Sequence, residues 1–298
     1  TIHCFVGLWC LPHWPSARGG FMAESTFVGQ RVDASIPSDS DHNAILFSFT
    51  HGQQGRVNLL SWNIGCQYGF NEQWGFPFDG FCRLSESDAD YIQRLDRTVA
   101  EVKRLAESYN PEAILLQECA EPLEFAHGVI PDQLEDLLAP LGYVILHEGE
   151  FVTAVRGLPE QHMTVELPKL RRQSGKIHAV HSDKLDCILL NVHLHWDQLN
   201  SENEVSTRED LVLVITHLRT LYPASPICLA GDTNRVPVGL LPHEQTDPDA
   251  ATIESLVEGL GLLSRPPGPT NVRWSGAAKG SEMTFADFAL WVPSEPAL

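Results

Sequence analysis

Four apolar runs in this chain each end on a polar side chain: SWN closes at Asn63, LLQE at Glu118, NVH at His193, and LAGDTN at Asp232 and Asn234. Carboxylate, amide and imidazole are the groups that hold divalent cations, move protons and grip phosphate oxygens. Side chains alternate faces along a strand, so a strand whose last inward position is polar delivers that group to the rim of a buried sheet. Four such deliveries in one chain predict a site assembled from strand ends.

The residue types narrow the chemistry. Hard oxygen ligands such as Glu118 suit Mg²⁺ or Mn²⁺, whereas a dedicated zinc site wants several His or Cys at close range. Along the 187–194 run, Asn191, His193 and His195 fall on one face, read as facing a cleft, and Ile188, Leu190, Val192 and Leu194 on the other, read as facing a core. Past the turn at Gly231, Asp232 and Asn234 project together toward one ligand, with Arg235 beside them. A cation that polarises a phosphoryl oxygen, with an aspartate that orients or deprotonates water, is the equipment of a phosphate-ester hydrolase.

Many strands are needed to position these groups. Apolar runs of strand length cover 44–49, 57–62, 113–116, 143–146, 151–155, 177–180, 187–194, 227–230 and 285–292, too many for one small sheet. Helical spacing marks four other segments. One follows Ser87 through Ile92, Leu95, Val99, Val102 and Leu105 and stops before Pro111; the others cover 131–139, 207–218 and 250–260. Strands interleaved with helices that bury one face predict an α/β fold: a four-layer α/β/β/α sandwich of two packed mixed sheets with outer helices. Long surface loops are expected over 71–87 and 237–249. No repeat or linker divides the chain, so 1–298 is read as one domain.

The chain has 298 residues, 43% of them hydrophobic, and a formal net charge of -19. That length can bury a substantial core. The charge argues against gripping long duplex nucleic acid through its phosphates, which takes clustered Lys and Arg. A polyanion must therefore be held locally, by a cation and by the basic groups near the motifs: Arg235, Arg208, Lys169, Arg171 and Arg172. No apolar stretch is long enough to span a bilayer, and the chain reads as soluble, with an intracellular home preferred and secretion the open alternative. Its seven cysteines fit that reading, since Cys66, Cys119, Cys187 and Cys228 lie in or beside apolar runs where free thiols act as small hydrophobes. His3, Cys4, Cys10 and His13 lack the tight pairing of known zinc sites and are read as structural.

Taken together, SWN, LQE, NVHLH, GDTN, the ADFALW strand with Asp287, and SDHNAI resemble the endonuclease/exonuclease/phosphatase superfamily, whose members include pancreatic deoxyribonuclease, abasic-site endonucleases, deadenylases, inositol polyphosphate 5-phosphatases and neutral sphingomyelinases. The resemblance covers about 26–292. It implies that Asn63 and Glu118 help hold Mg²⁺, with Asp41 as a further metal-side carboxylate. His193 then binds the scissile phosphate, Asp232 and Asn234 position water and phosphate, His42 contacts the phosphate, and Asp287 orients His42. Asn191, His195 and Arg235 are read as substrate-binding.

One departure concerns order. In the superfamily the SDH strand closes the domain, whereas here Ser40, Asp41 and His42 precede SWN and nothing like them follows Asp287. The chain therefore looks circularly permuted, with 26–56 holding the usual last strand, joined to the usual first strand by a Gly-containing turn. Residues 1–25 are extra to the resemblance.

Three activities stand open. The preferred one is a nuclease cleaving phosphodiester bonds of short or single-stranded nucleic acid or nucleotides, which suits the acidic composition; GDTN followed by Arg235 faintly resembles the deadenylase branch. The alternative is a phosphatase or phospholipase C-like enzyme on inositol phosphates, phosphoinositides or sphingomyelin, which lacks a basic or apolar membrane-docking segment here. The third is a silent binding module, disfavoured by retention of every expected site residue.

Overall fold

The computed structural model describes residues 27–31, 44–51, 55–65, 88–119, 130–195, 200–234, 253–260, 262–264, 271–274, 281–284 and 287–292. Asp41, His42, Arg235, the His3 to His13 cluster and the loops expected over 71–87 and 237–249 lie outside the described residues.

Two six-stranded mixed sheets form the frame. The first runs, in spatial order, β1 (Phe27–Arg31), β2 (Ile45–His51), β3 (Gly55–Asn63), β4 (Ala113–Gln117), β6 (Phe151–Arg156) and β5 (Tyr143–Glu148). The second runs β11 (Leu262–Ser264), β14 (Asp287–Val292), β10 (Ile227–Asp232), β9 (Cys187–His193), β8 (Ile177–Ser182) and β7 (His162–Thr164). A two-stranded ribbon pairs β12 (Asn271–Trp274) with β13 (Ser281–Thr284). In each large sheet the two strands that bring polar ends to the site are parallel neighbours: β3 with β4, and β9 with β10. Their C-terminal ends therefore lie side by side.

Three apolar clusters make four layers. On the outer face of the first sheet, Leu60, Trp62, Ile114 and Leu116 meet α1 (Asp88–Tyr109) through Leu95, Val99, Val102 and Leu105, and α2 (Ile130–Leu138) through Leu134 and Leu138. On the outer face of the second, Ile188, Leu190 and Val192 meet α3 (Glu202–Leu221) through Leu211, Val214 and Leu218, and α4 (Ile253–Val257) through Ile253 and Leu256. Between the sheets, Phe47, Leu59, Leu115, Val180, Leu189 and Ala230 interdigitate. This is the expected α/β/β/α sandwich. Helix α3 starts five residues before the apolar periodicity does, because Ser201 caps it by accepting the Glu204 N–H at 3.0 Å.

The inter-sheet layer also holds a seam of buried polar groups. Gln117 donates to Asn191 Oδ1 at 2.7 Å, and Asn191 donates back to the carbonyls of Leu116 and Val152 at 3.0 and 3.1 Å. Farther along, the Thr153 hydroxyl lies 3.0 Å from His178 Nδ1. Burial, with a smaller contribution from His147, pushes His178 from 6.5 down to about 4.

His178 thus folds neutral but protonates in the unfolded chain, so the unfolded state binds more protons between those two values. Stability is full above pH 6.5 and falls toward pH 4, by roughly 3 kcal/mol for this residue. Urea unfolding at pH 7 and pH 4.5 checks this: His178→Gln should lose less stability on acidification than the parent protein. Equal losses would refute it.

Candidate active site

The polar strand ends converge. Asn63, at the end of β3, donates its side-chain amide to Glu118 Oε1 at 3.0 Å and to Asp232 Oδ2 at 3.1 Å. The first partner follows β4 in the same sheet; the second ends β10 in the opposite sheet. Asn63 is itself fixed because its Oδ1 accepts the Gly65 N–H at 3.1 Å. His193, at the end of β9, sits with Nε2 3.7 Å from both Glu118 Oε1 and Asp232 Oδ2. Four residues from four strands thus face one another across the seam.

Backbone geometry turns the groups inward. Glu118 has φ 57, a left-handed conformation that is uncommon outside glycine and costs on the order of 1 kcal/mol or more when imposed on such a residue. Leaving the extended path there lets β4 end abruptly and re-aims the carboxylate. Asn234 is also left-handed, at φ 50. Its N–H donates to Asp232 Oδ1 at 2.9 Å, closing an Asx-type turn, and its side chain donates to the Leu194 carbonyl at 2.8 Å. Asp232 is in register with His193 on one side and with Asp287 on the other. The strand position of Asp287 is thereby next to the cluster.

Two residues that the motifs do not reveal complete the arrangement. Glu150, in the turn between β5 and β6, accepts from His193 Nδ1 at 3.2 Å through Oε2 and from Lys176 Nζ at 2.7 Å through Oε1. Burial alone would raise the Glu150 carboxyl, but His193 and then Lys176 outweigh it and hold the group below the ordinary range. An ionised carboxylate only accepts, so the imidazole carries its proton on Nδ1 and aims Nε2 at the cluster. Burial likewise lowers His193, yet the Glu150 hydrogen bond and the charges of Asp232, Glu118 and Glu150 leave it raised. No spacing signal marks Glu150: it lies on a hairpin turn and reaches the site only through the fold.

Asn191 corrects one expectation. It is 0% exposed and its amide is spent on Gln117, Leu116, Val152 and Thr153. Face alternation held, but both faces of β9 are covered, one by α3 and one by the other sheet, so Asn191 braces the two sheets beneath the site rather than meeting a substrate. His195 lies past the strand end, half-buried, its N–H donating to Gln173 Oε1 at 3.2 Å. Among the described residues, four further histidines lie away from the cluster: His162 by Ser182, His181 stacked on Tyr222, His147 on the Gly149 carbonyl and His217 on the Glu166 carbonyl. Cys119, Cys187 and Cys228 are buried free thiols.

Among the described residues no group of three His, Cys, Asp or Glu side chains is arranged to hold a metal ion. What the site offers is two carboxylates and an amide on one spot, with Asp232 1% exposed. One buried and one half-buried carboxylate converging on a single amide call for positive charge, and one or two carboxylates completed by water and substrate oxygens is the usual holding of Mg²⁺. The donor set fits such an ion.

No protein-family model matches the chain, and no curated protein matches it. Among solved structures the chain is similar to D. rerio TDP2 complexed with a single-strand DNA product, at 14% identity and TM-score 0.43 over 81% of this chain and 86% of that one. It is also similar to the 3'-5' exonuclease NExo from Neisseria meningitidis, at 16% identity and TM-score 0.47 over 67% and 83%. An AP endonuclease from Archaeoglobus fulgidus gives 14% identity and TM-score 0.44 over 66% and 82%. At these identities and scores, none of the likenesses assigns an activity to this chain.

Proposed function

We propose that the chain is a Mg²⁺-dependent phosphodiesterase of the endonuclease/exonuclease/phosphatase type that cleaves short or single-stranded nucleic acid. The observation that supports it is the Asn63 amide shared by Glu118 and Asp232, carboxylates from opposite sheets, with His193 Nε2 3.7 Å from each.

In this reading Glu118 holds the cation, joined by Asp41, and Asn63 joins them once its side chain turns over, so that Oδ1 rather than the N–H₂ now given to the two carboxylates faces the ion. When bound, the ion supplies a Lewis acid that polarises a phosphoryl oxygen and neutralises charge developing on the leaving group. His193, its Nδ1–H anchored on Glu150 and its basicity raised by that bond and the surrounding carboxylates, carries a second proton on Nε2 and donates it in a hydrogen bond to a non-bridging phosphate oxygen. Asp232 orients and deprotonates the attacking water, and Asn234 holds the phosphate. His195 and Arg235 contact the flanking substrate.

Asp41, His42 and Asp287 complete the site by the permuted order. Strand β2 begins in register with Ser61, two residues short of Asn63, so the chain enters β2 from the site end. Strand β14 begins at Asp287, in register with Asp232, from the same end. Both observations support a reassembled site in which Asp287 orients His42.

Hydrolysis assays of a generic phosphodiester, a generic phosphomonoester and single-stranded RNA, with Mg²⁺ and then with chelator, test the reading. Expected are turnover of the diester and the RNA, none of the monoester, and loss of all activity on chelation. Monoester turnover alone would favour the phosphatase alternative, and silence on all three would sink an enzymatic role.

A further inference from the structure

We propose that Lys176 is a positioning residue that sets the aim of His193 by fixing both the ring's carboxylate partner and its backbone; the inference builds on His193 as the phosphate-binding group. Three bonds tie Lys176 in place. Its N–H donates to the Gln173 carbonyl at 3.0 Å, its carbonyl accepts the His193 N–H at 3.0 Å, and its ammonium donates to Glu150 Oε1 at 2.7 Å. Glu150 gives its other oxygen to His193 Nδ1 at 3.2 Å, and its own carbonyl accepts the Cys119 N–H at 2.8 Å, next to Glu118. A closed ring of contacts results, running from Lys176 through Glu150 to His193 and back through the backbone.

The ammonium matters because the terminal torsion of a glutamate is broad and roughly two-fold, so one hydrogen bond to His193 leaves the carboxylate free to pivot. Anchoring the second oxygen removes that freedom and fixes the plane in which Nδ1–H must lie. The ion pair is also shorter and less exposed than the Lys103–Glu107 pair on the surface of α1. Lys176 and Glu150 are 22% and 14% exposed at 2.7 Å, whereas Lys103 and Glu107 are 41% and 51% exposed at 3.9 Å. Exposed pairs contribute little and are screened, while a partly buried, short pair whose carboxylate is held at both oxygens, one by Lys176 and one by His193, keeps its partners in place.

The test compares Lys176→Gln, Lys176→Arg, Glu150→Gln and the double variant Lys176→Gln/Glu150→Gln, on a generic phosphodiester with Mg²⁺. Loss of a supporting partner should lower kcat by about ten- to a hundredfold with KM nearly unchanged, because the ring is misaimed rather than removed. Lys176→Arg should recover most of that loss, and the double variant should be no worse than Glu150→Gln, since the two residues act through one another. Wild-type kcat in Lys176→Gln, a rise in KM alone, or additive losses in the double variant would each overturn the proposal while leaving the phosphodiesterase reading intact. If Lys176→Gln does not fold, Lys176→Met keeps the packing of the stem and takes its place. A second readout is independent of turnover: the exchange-protected Nδ1–H proton of His193, assigned by its disappearance in His193→Gln, should persist in Lys176→Arg and vanish in Lys176→Gln. A protein that hydrolyses none of the esters sinks the functional reading, and the same resonance then decides the positioning role alone; its persistence in Lys176→Gln would overturn it.

Discussion

Asp232→Asn should abolish measurable turnover, a fall of about 10²–10⁴-fold in kcat that matches removal of a positioned acid–base group. The substitution is nearly isosteric, so packing of the buried β10 end is preserved. What changes is charge and hydrogen-bond sense. Oδ1 accepts the Asn234 N–H and Oδ2 accepts the Asn63 amide, two donors arriving from different directions. An amide can answer only one of them as acceptor and turns its own N–H₂ against the other, costing roughly 1–3 kcal/mol for the unmatched buried group. Kinetics on a generic phosphodiester should be paired with thermal unfolding, so that a folded but inactive protein is distinguished from an unfolded one. His42→Ala measured alongside should fall by a comparable factor if the permuted order brings that imidazole to the phosphate. A fully active Asp232→Asn would discard the site, and a fully active His42→Ala would discard the permutation alone.

Why the strand ends were legible, and their neighbours were not, has a physical cause. Asn63, Glu118, His193 and Asp232 each terminate an apolar run, and the transition from apolar to polar is local information that any reading of the chain retains. The register that brings Asn63 onto Asp232 is not local, because the two are 169 positions apart. It emerges from packing of Leu59, Leu115, Leu189 and Ala230 between the sheets. Asn191 shows the limit of face alternation. Period two says which residues share a face, but in a sandwich both faces of a central strand are covered, and only the partner layer decides whether a polar residue meets solvent or another strand. Glu150 and Lys176 sit in turns, where composition predicts exposure; the hairpin between β5 and β6 and the turn before β8 carry them to His193. Strands β1, β7 and β11 lie at or beside sheet edges and have only three to five residues, too few for a period of two to stand out in the sequence.

Gly231→Ala should be the most damaging single-methyl change in the described part of the fold. Gly231 has φ +147, a conformation L side chains rarely adopt, and a Cβ built there lies 2.1 Å from the Val192 carbonyl oxygen. Neither side can yield. Val192 is 0% exposed, one residue before the end of β9, and Gly231 is in register with it one step before His193 meets Asp232. Relieving the clash means parting two central parallel strands, and both the seam and the facing pair His193 and Asp232 would open with them. The expected cost is about 4 kcal/mol or more, a large share of the 5–15 kcal/mol that holds a typical domain. Gly149→Ala is the control: at φ +58 with nothing within 4 Å of the new methyl, it carries only backbone strain of about 1 kcal/mol. Urea unfolding of the two variants should separate them widely, with Gly231→Ala unfolded or shifted far to low denaturant. Similar midpoints would mean that β9 and β10 can part at this step, and that the close approach at Gly231 is not what sets His193 against Asp232.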